Sequence, residues 1–125
     1  MKHVIWISAA ALTAACATYS EPTQDLAFGA PPADVETTVR DFFDEHLREP
    51  QGAQIRMNGD AYRAYAHARR SSGGDVIWSG WAADVKVKAR TPQGFTGFVD
   101  YTVAIRDDKG VALADDFGRF VRVDD

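Results

Sequence analysis

The stretch from Asp75 to Leu113, DVIWSGWAADVKVKARTPQGFTGFVDYTVAIRDDKGVAL, limits the possible folds more than any other part of this chain. It holds three apolar runs separated by two turn-like segments, and the runs alternate with a period of two. Ile77, Trp81, Ala83, Val85 and Val87 fall on one side of the first run, with Trp78, Gly80, Asp84, Lys86 and Lys88 on the other. In the second run, Val99, Tyr101, Val103 and Ile105 share a face. A hairpin pairing Val87 with Tyr101 and Val85 with Val103 sets apolar against apolar and Lys88 against Asp100, as a specified register requires. The second connection, Asp107 to Gly110, fits a type I turn with Gly110 in the left-handed position of a bulge. That turn would place Leu113 opposite Ile105, and a last β segment is expected near Phe120 to Val123.

Upstream, Val35, Val39, Phe42, Phe43 and Leu47 recur at helical spacing and share one face. Pro31 and Pro32 suit a first helical turn, and Asp34 and Glu36 complement the positive end of the helix dipole. Glu49 before Pro50 and then Gly52 mark the stop. From Gln54 the period changes to two, weakly at Ile55 and Met57. The segment Tyr62 to Arg70 reads either as a strand or, because it is rich in alanine, as a helix. Ser71 to Gly74 is a loop. The fold class that follows is α+β, with one N-terminal helix packed on an antiparallel sheet of about four strands arranged as a meander.

A chain of 125 residues has room for one such domain. The formal charge is −4 with no basic stripe, so nucleic acid is not expected as a partner. The single cysteine, Cys16, allows neither an intrachain disulfide nor a zinc site of the multi-cysteine kind.

Met1 to Ala15 has the three parts of an export signal: Lys2 at a basic start, an apolar segment from Val4 to Leu12, and the small residues Thr13, Ala14 and Ala15. The apolar part falls short of the roughly 20 residues of a membrane-spanning helix. The expected organisation is a signal peptide at 1–15, a tether at 16–30 and a single α+β domain at 31–125. Ala17 to Ala30 shows neither period and mixes Thr, Ser, Glu, Pro, Gln, Asp and Gly.

The run Leu12, Thr13, Ala14, Ala15, Cys16 resembles the lipobox of bacterial lipoproteins. The resemblance implies cleavage before Cys16 and acylation of its thiol and new amino group. With Ala17 rather than Asp after the cysteine, it implies the periplasmic side of the outer membrane. Cleavage after the Ala15, Cys16, Ala17 triplet is the other reading and implies a soluble periplasmic protein. The region from Phe43 to Val111 also resembles a set of small exported bacterial proteins of uncharacterised function. Leu47, Pro50 and Ala53, Gly80 with Trp81, Val85 to Arg90, Phe95 to Phe98, and Arg106 with Asp107 carry that pattern. It implies a fold and a location, and no reaction.

No catalytic constellation stands out. His46 near the helix end suits the dipole, and His67 has no HxH or HExxH companion. Ser71, Ser72 and Ser79 lie in no nucleophile-elbow context. The acidic pairs Asp107–Asp108, Asp115–Asp116 and Asp124–Asp125 lack the spacing of a calcium loop. No cofactor or metal is expected. Trp81 and Tyr101 are explained by packing, whereas Trp78, on the outward face, and Phe95 and Phe98, flanking a turn, are candidate partner-binding residues if they cluster. Alternatively, the phenylalanines close over the core edge and the tether or C-terminus covers Trp78. The expected function is a noncatalytic, membrane-anchored envelope module binding a protein partner; the alternative is a periplasmic protein binding a small ligand between helix and sheet. A hydrolase would need His67, a carboxylate and a nucleophile to converge.

Overall fold

The computed structural model describes residues 26–123. Among these residues one α-helix, α1 (Val35–His46), precedes eight strands: β1 (Gln54–Met57), β2 (Tyr62–His67), β3 (Val76–Lys88), β4 (Arg90–Thr91), β5 (Gly94–Phe95), β6 (Val99–Arg106), β7 (Lys109–Leu113) and β8 (Arg119–Arg122). Six of them form one antiparallel sheet in the order β7-β6-β3-β2-β8, with β1 also paired to β3, while β4 and β5 make a separate hairpin. The fold is α+β. The segment from Tyr62 is a strand, its alanines facing cross-strand partners rather than a helical neighbour.

α1 begins one residue after its cap. Asp34 accepts hydrogen bonds from Thr37 N and Thr37 Oγ1, which satisfies an orphan donor and holds its carboxyl below the usual carboxylate range. Pro31 and Pro32 therefore precede the helix instead of opening it. At the other end Leu47 turns extended, its N–H donating to Phe43 O, three residues before Pro50.

The thirteen residues of β3 are the spine. Its first half pairs with β2 and its second half with β1 on one side, and β6 lines the other. Cross-strand neighbours share a face. Val103 with Ala83 and Tyr101 with Val85 therefore project together toward α1, as does Val87, whose partner Val99 stays exposed. There Val39, Phe42 and Phe43 close a core with Ala83, Val85, Val87, Val103 and Ile105, flanked by Ile55, Met57, Trp81 and Leu113. Each large side chain buried in this way contributes about 2 kcal/mol.

The β3–β6 register is two residues from the expected one. Val85 faces Tyr101, Val87 faces Val99, and Lys86 rather than Lys88 lies opposite Asp100, with Lys86 Nζ 3.3 Å from Asp100 Oδ1. The cause is the tip. β4 and β5 pair Arg90 with Phe95 and Thr91 with Gly94, so Pro92 and Gln93 alone make the turn. Ala89 and Thr96 bond each other, leaving Gly97 and Phe98 opposite Lys88.

The second connection also differs. Asp107 and Asp108 both have positive φ, 53° and 60°, which makes a two-residue turn of the I′ kind, and Arg106 faces Lys109. Gly110 has no left-handed backbone; it lies opposite Ile105. The bulge falls instead at Val111, between the Ile105–Gly110 and Ala104–Ala112 pairs, and Leu113 faces Val103. A second bulge between Ala66 and His67 leaves Ile77 as the extra residue, 59% exposed rather than on the core face.

The meander ends after β7. A short 3-10 turn at Ala114–Asp116 leads β8 to the far edge, where it pairs with β2. Of the stretch read as a tether, residues 26–30 lie on the sheet. Ala27 O accepts from Ser79 Oγ and Arg106, and Gly29 O accepts from Trp81 Nε1.

Candidate functional site

The helix and the edge strand β7 frame an apolar groove. Phe42, Phe43 and His46 lie one turn apart or adjacent on α1, because the i, i+4 spacing that builds the core face continues to the helix end. Phe42 stacks on His46 with centroids 4.1 Å apart, and the His46 Nδ1 lies 2.7 Å from Phe42 O. Phe43 meets Tyr101 at 5.6 Å. With Leu47, Val111 and Leu113 these side chains line a half-open cavity of about 360 Å³. β7 ends the strand order, so one side of its backbone has no strand beside it among the described residues. The Val111 bulge turns its side chain out, 46% exposed, along that edge.

The opposite face of the sheet is built differently. Ala112, Ala104, Ala82 and Tyr62 form one cross-strand row, and Gly80 and Ala64 sit in the next. At its border Asp84 Oδ1 accepts from Tyr62 Oη at 2.7 Å and from Thr102 Oγ1 at 2.8 Å. Burial, then the hydrogen bond to Asp84 and that carboxylate's charge, push the Tyr62 phenol up to about 12. The Arg122 guanidinium lies 4.3 Å from the Tyr62 ring centre. Tyr62 is therefore held as a neutral donor, and Asp84 Oδ1 accepts hydrogen bonds from both hydroxyls. A cavity of about 330 Å³ opens beside Asp84 and Thr102, lined also by Asn58, Asp100 and Asp115. Among the described residues no three His, Cys, Asp or Glu side chains are placed to hold a metal ion.

The three aromatic residues singled out in the sequence do not meet. Trp78, near the start of β3, stacks on Phe120 with centroids 5.8 Å apart and lies 5.9 Å from the Phe117 ring, so these two residues partly cover it. Phe95 and Phe98 lie beyond the other end of β3, about 30 Å away along the strand. They stay in the open, 56% and 36% exposed. Cys16 lies outside the described residues, as do Asp124 and Asp125.

His67 is 2% exposed, with Nδ1 2.9 Å from Gly74 O and its ring edge-on to Tyr65. Ser79 is committed to Ala27 O, and Asp116 Oδ2 accepts from Leu113 N to close its own turn. Compared with models of protein families, with curated proteins and with solved structures, the chain matched none.

Sequence reasoning reached a site between helix and sheet only as an alternative and left out Val111, which comes to its rim through a bulge. The Tyr62–Asp84–Thr102 group left a signal: an acidic residue inside a long strand, on the face shared with a hydroxyl residue of the next strand. It needed the true register to be read.

Proposed function

We propose that the protein is an exported lipoprotein, fixed by acyl chains on Cys16 to the periplasmic side of the outer membrane, whose domain binds an envelope protein without chemistry. The observation that carries the binding half is the groove between α1 and β7. An extended segment of a partner would add to the open edge of β7 by main-chain hydrogen bonds. Its alternate side chains would enter beside Phe42, Leu47 and Val111. The anchoring half rests on the export pattern of residues 1–15 and the small residues before Cys16.

A photoreactive amino acid at Val111, in cells, should crosslink a discrete protein, and the same probe at Glu36 on the outer side of α1 should not. Leu47→Asp should abolish the product while the domain stays folded. Equal labelling from both positions overturns the reading. Mass spectrometry of the mature N-terminus decides the anchor: an acylated Cys16 supports it, and a chain starting at Thr18 refutes it in favour of a soluble periplasmic protein.

A second reading has its own support. The groove lies between helix and sheet and is of small-ligand size, with His46 and Asp116 as polar groups at its lining. Saturable uptake of an apolar fluorescent probe, competed by no peptide and lost in Leu47→Asp, would select it over the protein partner.

A further inference from the structure

Among the described residues, three of the five exposed large apolar side chains, Phe95, Phe98 and Val99, belong to one place: the β4–β5 hairpin and the bulge at its base. The hairpin extends the two central strands past the end of the sheet. A side chain at Gly94 or Gly97 would meet nothing within 4 Å, so both sides of the tip are open. The exposed rings are matched with cations. Lys88 Nζ sits 5.7 Å from the Phe95 centroid, and Arg56 Cζ 4.4 Å from that of Phe98. Arg90 is the ladder partner of Phe95, and Lys86 continues the same row as Arg56, its charge shared with Asp100. A chain of net charge −4 thus carries Arg56, Lys86, Lys88 and Arg90 at one end.

We infer that this tip is a contact for an anionic phospholipid surface, separate from the groove and independent of any acyl chain on Cys16. The chemistry fits at both depths. Phenylalanine and valine side chains on a narrow convex tip can enter the boundary between headgroups and acyl chains, which yields around them. Cations held about 4 to 6 Å from those rings then reach the phosphate level, where each Lys or Arg gains about fivefold in affinity. A protein partner would need to supply a matching cup, and the tip offers no concavity of its own. The inference goes beyond the protein-binding reading, and either can fail alone.

The test uses residues 17–125, which keep every described residue and the whole core but remove Cys16 and the apolar segment before it. Sedimentation with vesicles of 70% phosphatidylcholine and 30% phosphatidylglycerol, a composition chosen as the probe, should recover the protein. Vesicles of phosphatidylcholine alone should bind it at least about tenfold more weakly. Phe95→Ser with Phe98→Ser should lower the partition at least tenfold. Lys88→Gln with Arg90→Gln should lower it by about 25-fold at low salt and less at high salt. Because Phe98 is partly covered, Phe95→Ser alone, at an exposed position, serves where the double variant melts early. A polarity-sensitive dye on Gln93→Cys gives a second readout, shifting to the blue on the anionic vesicles only. Equal binding to both vesicle types, or undiminished binding by Phe95→Ser, overturns the inference.

Discussion

A methyl group placed on Gly110 would lie 2.8 Å from Phe42 Cδ1. The glycine lets Phe42 of α1 lie directly against β7, and its missing side chain, not its backbone freedom, is what the position uses. Gly110→Ala should therefore cost about 1–3 kcal/mol through overpacking. Phe42→Leu in the same chain should restore part of that loss, so that the two changes are non-additive. A urea-melt double-mutant cycle measures the coupling, and strict additivity would show that the close approach carries no cost.

Burial of the Tyr62 phenol, with its hydrogen bond to Asp84, makes stability fall in alkali. Folding raises the phenol from its ordinary value of 10.0 to about 12, so the native state holds its proton longer. The stabilisation is complete below pH 10 and is lost as pH rises from 10 to 12. For a partly buried phenol still screened by solvent, the loss should be about 1 kcal/mol. Urea midpoints of the parent chain and Tyr62→Phe, compared at about pH 9 and pH 11.5, should converge at the higher pH. A constant gap would refute the link.

The stack of Trp78 on Phe120 ties β8 to the sheet. Phe120→Ala should cost about 2–4 kcal/mol. It should also shift tryptophan emission to the red and speed amide exchange in β8 before β2. If β8 exchanges no faster than in the parent, strand pairing with β2 alone holds it.

Asp107 sits at φ 53°, where glycine is at ease and aspartate is strained. Asp107→Gly should raise stability by about 0.5 kcal/mol. Asp108→Gly relieves similar strain but removes the carboxylate that accepts from Ala33 N, and should gain less or nothing. Thermal melts of the two variants rank them.

Alternation showed which side chains face the core, because the period of a strand is local and Val85, Val87, Val103 and Ile105 keep it. Register is not local. Lys86 and Lys88 share a face, so Asp100 could pair with either, and only the two-residue turn at Pro92 and Gln93 with the bulge after it decides for Lys86. Ile77 and Val111 escaped because a bulge inserts one residue and breaks the count. The meander failed at β8 because an apolar segment carries no mark of the edge it will join. The candidate site was legible in part: the exposure of Phe95 followed from its place beside a turn, whereas the cover over Trp78 came from Phe117 and Phe120, remote in sequence.

The contacts of Ala27 and Gly29 with Ser79, Trp81 and Arg106 have a mechanical meaning. Tension applied from the N-terminal side reaches these hydrogen bonds before it reaches α1. They can give way one after another, paying out a few residues of slack while the helix stays seated on the sheet. In a chain held at its start, that order of loading would make the segment a strain relief ahead of the domain.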